Sequence, residues 1–135
     1  MNRRFLALFA TVAAFSFVGA QGAAAQEIKP AVKSLMKTSL VGVAGKEANV
    51  VLFAVGPGWK IYNHFHPGHV FVYMLQGSLK IEVEGKPARV IGPGNLLHEI
   101  PNRNMVANNI SSTKGARFLV FQVGDIGKPL TVKVK

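Results

Sequence analysis

The sequence contains no cysteine and few acidic residues. Among its 135 residues, 16 Lys and Arg stand against 6 Asp and Glu, so the formal net charge is +10. Without cysteine the chain has neither a disulfide framework nor a thiol nucleophile. A chain of this length accommodates one domain, and 49% hydrophobic residues suffice for one small core. Disulfide-rich scaffolds, cysteine-dependent enzymes and two-domain architectures are therefore excluded for this sequence.

The excess positive charge lacks the pattern that is typical of nucleic-acid binding. Lysines lie near both ends of the sequence, and aromatic residues are not interleaved with them. We therefore expect a solvated basic surface and no nucleic-acid partner. The lysines concerned are Lys29, Lys33, Lys37, Lys128, Lys133 and Lys135.

The first 25 residues have the pattern of a secretory signal peptide. Arg3 and Arg4 precede an apolar run at residues 5–20, and small residues follow up to Ala25. The run is shorter than the roughly 20 apolar residues that span a bilayer, so we expect no stable membrane anchor. The sequence thus predicts a signal peptide at 1–25, a single domain at 26–135, and a periplasmic or secreted protein.

From residue 48 onward the sequence consists of short β-type runs that Gly, Pro and Asn separate. Connections this short favour antiparallel neighbours, and many short strands without crossover helices indicate an all-β sandwich or barrel. Residues 29–46 carry no clean periodicity and are predicted to form an irregular or strand-exchanging arm. The predicted strands cover residues 49–55, 59–66, 70–75, 78–84, 88–91, 96–100, 105–108, 116–123 and 130–134.

The predicted strands differ in how many of their faces are apolar. In 78–84, Leu79, Ile81 and Val83 alternate with polar residues, which is typical of a strand with one buried face. The runs 70–75 and 118–123 are apolar on both faces. Because a second sheet covers only one face, we expect a homodimer that buries the other.

Two histidines stand two residues apart on one predicted strand. His64 and His66 should therefore point to the same side of the sheet. Two imidazoles that converge in this way begin a metal site on a β-scaffold. Two hydrogen-bonded surface histidines are the alternative that the spacing leaves open.

The segment around these histidines resembles motif 1 of the cupin family. Gly58 precedes His64-Phe65-His66 by five residues, Pro67-Gly68 follows directly, and Gly77 closes the next strand. The resemblance covers about residues 45–125 and is greatest for small single-domain cupins of the type-2 kind.

This resemblance implies a fold, a cofactor and a quaternary structure. It implies a single-domain jelly-roll β-barrel, often a homodimer. It also implies a divalent transition metal (Fe, Mn, Ni, Zn or Cu) in the barrel mouth. The family holds that ion with the motif 1 histidines, a carboxylate and a motif 2 histidine, and binds a small molecule beside it.

The sequence departs from the family pattern at the motif 1 carboxylate. The positions where that Glu would fall, Val70 and Phe71, are apolar. Relatives of this type carry a Glu just before the motif 2 turn, which corresponds to Glu99. The resemblance therefore implies the metal ligands His64, His66 and Glu99, with a solvated, outward-facing Glu99 as the alternative.

The motif 2 histidine is the second departure, and two alignments remain. If Pro101-Asn102 forms the motif turn, with Asn tolerating left-handed backbone, the ligand position falls on Met105 and the histidine is absent. If His98 is the ligand instead, too little chain remains between it and His66 for the intervening strands. The first alignment is favoured, which makes motif 2 degenerate. Met105 is then either a core residue that fills the space or a ligand for soft ions such as Cu(I).

Three functions fit these residues, and whether the chain is an enzyme stays open. A metal-dependent dioxygenase, isomerase or lyase would use His64, His66 and Glu99. A periplasmic copper-binding protein would use Met105 beside the histidines.

A non-catalytic binding module is the remaining alternative. It would hold a small molecule in the barrel mouth, lined by Tyr62, Tyr73, Phe71 and Met105.

Overall fold

The protein is described here by a computed structural model that covers residues 29–134. The predicted signal peptide at 1–25 and its cleavage point lie outside the described residues. Within residues 29–134 every regular element is a strand, which confirms the all-β prediction, and no helix long and apolar enough to cross a membrane occurs there. The strands are β1 (Ala31–Ser39), β2 (Lys46–Val55), β3 (Lys60–Phe65), β4 (His69–Gln76), β5 (Leu79–Val83), β6 (Arg89–Ile91), β7 (Leu96–Glu99), β8 (Met105–Asn109), β9 (Ala116–Asp125) and β10 (Val132–Lys133).

The strands form two five-stranded antiparallel sheets that pack face to face as a jelly roll. Sheet A has the order β1-β2-β9-β4-β7, and sheet B has the order β10-β3-β8-β5-β6. The nine runs predicted from the sequence correspond to β2 through β10, with ends displaced by a few residues. Asn102 adopts φ 58°, as predicted for the turn after β7, because Asn tolerates left-handed backbone better than most residues.

β1 corrects the prediction of an irregular arm at residues 29–46. It is a nine-residue strand that pairs with β2 of the same chain, with a bulge between Ser34 and Met36. All nine residues are exposed, including Val32 at 55% and Leu35 at 48%. Within residues 29–134 nothing covers either face of this strand, so its sequence carries no two-residue periodicity. Its hydrogen bonds to β2 define it as a strand.

The core lies between the sheets and is built by the strands with two-residue alternation. Val70, Val72 and Met74 of β4 point inward with at most 5% exposure. Phe118 of β9 stacks on Phe53 of β2 at 5.2 Å between ring centroids and 2° between ring planes. Full burial of one such side chain stabilises the fold by about 1.5–3 kcal/mol.

Asn109 closes one end of the sandwich as a buried polar residue with every bond made. Its Nδ2 donates to the carbonyls of Gly56 at 2.9 Å and Lys114 at 2.7 Å, while its Oδ1 accepts from the Ser111 amide at 3.1 Å. These bonds tie two loops to the end of β8 and satisfy backbone groups that the ladders leave free.

Candidate functional site

A cavity of about 70 Å³ lies between the two sheets. Apolar side chains such as Phe53, Trp59 and Phe118 make up most of its wall. Four polar residues share the wall, and the site is built from them: His64, His66, Glu99 and Thr131.

The structure brings the two predicted histidines together inside the cavity. His64 belongs to β3 and His66 follows the end of that strand, and the two residues are only 3% and 7% exposed. Their ring centroids are 5.1 Å apart and the rings are nearly perpendicular, at 83°. The alternative of two surface histidines is therefore wrong.

Backbone carbonyls fix the orientation of both imidazole rings. His64 Nδ1 lies 3.1 Å from the Tyr62 carbonyl oxygen, and His66 Nδ1 lies 2.6 Å from that of Leu130. A carbonyl only accepts, so each Nδ1 carries the proton and donates it. The Nε2 atom of each neutral ring therefore keeps its lone pair, as in histidines that ligate a metal.

Glu99 is the acid of this site. It ends β7, is 5% exposed, and its Oε2 lies 3.3 Å from His66 Nε2. Burial raises the pKa of Glu99 to about 7. Because His66 Nδ1 already holds the ring proton, a protonated Glu99 donates to His66 Nε2. The outward-facing alternative for Glu99 is wrong, since its side chain faces the cavity.

The same burial keeps both imidazoles neutral. Burial, together with the proximity of His66, lowers the pKa of His64 to about 4. Burial also lowers the pKa of His66. At neutral pH both rings are therefore in the form that binds a metal cation.

Met105 lies beside His64, and His98 lies outside the cavity. Met105 of β8 pairs with His64 in the ladder between β3 and β8 and is 2% exposed, although its side chain does not belong to the cavity wall. His98 of β7 is exposed and stacks on Phe71 at 4.7 Å on the outer face of sheet A. The structure thus agrees with the alignment that sets Met105, and not His98, in the motif 2 position.

The aromatic residues predicted to line the barrel mouth do not line the cavity. Tyr62 is 70% exposed and Tyr73 is 41% exposed, and Phe71 faces outward with Tyr73 on β4. In β4 the side chains that point inward are those of Val70, Val72 and Met74. In β3 a bulge between Ile61 and His64 turns Tyr62 out. The predicted pocket role of Tyr62, Tyr73 and Phe71 is therefore wrong, and so is that of Met105, whose side chain does not line the cavity.

Sequence reasoning missed the residues that hold His66 in place. The Leu130 carbonyl accepts from His66 Nδ1 and also from Nε2 of the buried Gln122, at 3.3 Å. Leu130 and Thr131 cover part of the cavity. Gln122 could have been found, because it occupies an inward position in the otherwise apolar alternation of β9.

A glycine fixes the bend that follows His66. A Cβ atom at Gly68 would lie 2.4 Å from the Val123 carbonyl oxygen and 2.8 Å from Gly124 Cα. Only glycine allows the chain to pass this close to β9.

The donor set fits a divalent transition ion, although its members do not form a compact cluster. Within residues 29–134 no group of three or more His, Asp or Glu side chains is already arranged to hold a metal. Two neutral imidazoles with unprotonated Nε2 atoms and one carboxyl group beside them are nevertheless the donors that such ions prefer. The residues that would hold the ion are His64, His66 and Glu99.

Comparison with known proteins supports the fold. A structure of the DMSP lyase DddQ from Ruegeria pomeroyi DSS-3 is similar at 19% identity, covering 78% of this chain and 51% of that one, with a TM-score of 0.63. A cupin-like protein from Thermotoga maritima matches at 22% identity over 78% of this chain and 75% of its own, with a TM-score of 0.59. Oxalate decarboxylase from Lactobacillus farciminis, in a formate complex, matches at 18% identity over 79% and 33%, with a TM-score of 0.60. The chain thus spans about half the length of DddQ.

No curated protein sequence matches the chain. The family profile described as a cupin domain matches residues 51–121, which is more than half of the sequence. This range includes both cavity histidines, Glu99 and the bend at Gly68. The chain belongs to the cupin family.

Proposed function

We propose that the protein is a metal-dependent cupin enzyme that acts on a small substrate in the cavity between its sheets. The observation that carries this proposal is the orientation of the two imidazoles. Each Nδ1–H is bound to a backbone carbonyl, at Tyr62 for His64 and at Leu130 for His66, so the lone pair of each ring lies on Nε2. The lone pair of His66 Nε2 accepts from Glu99 in the metal-free protein, and a cation would take the place of that proton. His64, His66 and Glu99 would hold a divalent ion, and the chemistry that this ion would supply is Lewis acidity toward a substrate oxygen.

The chain's own residues have separate parts in this proposal. His64 and His66 supply neutral nitrogen donors. Glu99 would release its proton to solvent when a cation binds, because a carboxylate and a cation stabilise each other in an apolar cavity. The surrounding apolar wall, with Trp59 and Phe118, excludes water and strengthens electrostatic interactions inside.

The volume of the cavity limits the size of the substrate. A volume of about 70 Å³ holds an ion and a molecule of a few heavy atoms, and is too small for a cofactor-sized ligand. A small molecule that carries a carboxylate group fits both this space and a Lewis-acidic ion. Two of the similar structures are described as a DMSP lyase and an oxalate decarboxylase. DMSP and oxalate are therefore the first substrates to test, and lyase chemistry is the reaction class that we favour.

A copper-binding function is the second candidate, and one observation favours it. Met105 is fully buried and pairs with His64 in the ladder between β3 and β8, and a thioether together with an imidazole suits Cu(I). Competition between the protein and a Cu(I) chelator, in the wild type and in Met105→Leu, tests this function. A loss of Cu(I) affinity in Met105→Leu supports it.

We also propose that the protein is exported, on the basis of the Arg3-Arg4 pair and the apolar run that follows. Cell fractionation and N-terminal sequencing of the mature chain test this point. A mature protein that begins at Gln26 is the expected result.

Elemental analysis of untagged protein tests the proposed metal site. After dialysis against a weak chelator, the wild type should retain about one divalent ion per chain, and His64→Gln/His66→Gln should retain almost none. The matched control is His69→Gln/His98→Gln, which removes two exposed histidines and should retain the ion. Equal metal contents in the wild type and in His64→Gln/His66→Gln would overturn the proposal.

A further inference from the structure

The four histidines of the chain form two separate pairs. His64 and His66 face the cavity, whereas His69 and His98 meet on the outer face of sheet A. The outer pair has no part in the function proposed above. Its two residues come from neighbouring strands, β4 and β7.

The outer pair is held by the strands and by an aromatic ring. Phe71 pairs with His98 in the ladder between β4 and β7, so His69 is a diagonal neighbour of His98 on the same face. The Phe71 ring stacks on His98 at 4.7 Å and 13° between planes. Two side chains carried by paired strands keep their separation better than side chains on loops.

The two rings turn nitrogen atoms toward each other. His69 Nδ1 lies 2.9 Å from His98 Nε2, with 5.2 Å between ring centroids and 25° between planes. At this distance one nitrogen donates its proton and the other accepts it with its lone pair. Both side chains are exposed, so an ion from solvent has access to this point.

The spacing suits an ion that replaces the shared proton. A tetrahedral ion with bonds of about 2.0–2.1 Å sets two nitrogen ligands about 3.3 Å apart. The observed 2.9 Å must therefore widen by only a few tenths of an ångström. Small changes in the side-chain torsions of two exposed residues are enough for this widening.

We propose that His69 and His98 form a second, external binding site for a borderline divalent ion such as Zn²⁺ or Cu²⁺. The ion replaces the proton shared by the two imidazoles, and water completes its coordination. With two protein donors, this site is weaker than a site with three, and by the usual order of stabilities it binds Cu²⁺ more tightly than Zn²⁺. It does not depend on whether the cavity holds a metal.

Zinc titration followed by NMR of the imidazole nitrogens tests this site directly. Zn²⁺ is diamagnetic, and each of the four histidines gives its own signals. In the wild type, the His69 and His98 signals should shift together with one affinity. In His98→Gln, zinc binding at His69 should weaken about tenfold or more, because one of two ligands is lost.

Two matched variants separate the external site from the cavity. Leu96→Gln changes an exposed residue of the same strand without removing a ligand, and should leave the shared zinc event unchanged. His64→Gln should leave the zinc-induced shifts of His69 and His98 unchanged as well, whatever its effect on metal binding in the cavity. The proposal is overturned if the His69 and His98 signals shift with different affinities, or if His98→Gln leaves zinc binding at His69 unaltered. Neither result bears on the cavity histidines, whose signals are read separately.

Discussion

His66 and Glu99 join the two sheets across the cavity. His66 follows β3 of sheet B and Glu99 ends β7 at the edge of sheet A, yet His66 Nε2 lies 3.3 Å from Glu99 Oε2. Both side chains are almost completely buried. Burial, and not this contact, raises the pKa of the Glu99 carboxyl group, and this raised pKa determines how the stability of the metal-free protein responds to pH.

Glu99→Gln should stabilise the metal-free protein at alkaline pH. The pKa of Glu99 is raised from 4.5 to about 7 by burial, so its stabilising contribution is present below pH 4.5 and is lost as pH rises through 7. Gln stays neutral and can still donate to His66. We expect a gain of about 3 kcal/mol in the free energy of unfolding at pH 8, and almost none at pH 4.5. Urea unfolding with chelator present, followed by Trp59 fluorescence, measures both values.

Glu47→Gln is the control, for which we expect the opposite change in stability at pH 8. Hydrogen bonds from Asn49 and Lys37 lower the pKa of Glu47, so its contribution is present above pH 4.5 and is lost as pH falls. Glu47→Gln should therefore destabilise the protein at pH 8. If Glu99→Gln also destabilises it there, the carboxyl group is already ionised when buried, and the assigned hydrogen bond is reversed.

Met105→His should create a third imidazole next to His64. Met105 pairs with His64 across the ladder and points inward with 2% exposure. Imidazole suits Zn²⁺ and Ni²⁺ far better than a thioether, so the affinity for these ions should rise about tenfold or more, while the preference for Cu(I) falls. Calorimetric titration measures the change. Val106→His, on the other face of β8, should give no gain, and an equal gain in both variants would contradict the prediction.

Leu130→Ala should open the cavity to small molecules. Leu130 forms part of the cavity wall together with Trp59, which is the single tryptophan of the chain. Trp59 fluorescence should become more sensitive to acrylamide, and stability should fall by about 1–2 kcal/mol because the side chain is only partly buried. Leu96→Ala, at an exposed position, should change neither property. Unchanged quenching in Leu130→Ala would mean that solvent enters elsewhere.

The homodimer stays a prediction, and we expect it on the outer face of sheet A at β1, β2 and β9, so that His69 and His98 at the β4–β7 edge stay open to solvent. Phe121 of β9 is only partly buried on this face, and within residues 29–134 nothing covers either face of β1. Phe121→Arg should convert a dimer into a monomer in light scattering at micromolar concentration. Val90→Arg changes an exposed residue of sheet B and should leave the dimer intact. A wild-type monomer would refute the prediction.

The sequence predicted the elements whose burial leaves a periodic pattern. β5 alternates strictly because one of its faces is buried, and Leu79 and Ile81 are core residues. β1 could not be found in this way because all of its residues are exposed. Its strand conformation depends on hydrogen bonds to β2, which a pattern of side chains does not record.

The candidate site was predictable to a similar extent. The spacing of His64 and His66 predicts that they share a side, which they do. The predictions that Tyr62 and Tyr73 line the pocket were wrong for two different reasons. A bulge in β3 interrupts the alternation around Tyr62, and β4 is apolar on both faces, so its sequence does not tell which face is inward.

Gly68 lies in the chain between a histidine of the inner pair and a histidine of the outer pair. His66 and His69 stand on either side of the bend that Gly68 makes against Val123 and Gly124. The same backbone bend therefore holds one histidine of the inner pair and one of the outer pair, and a larger side chain at position 68 would disturb both pairs in a single variant.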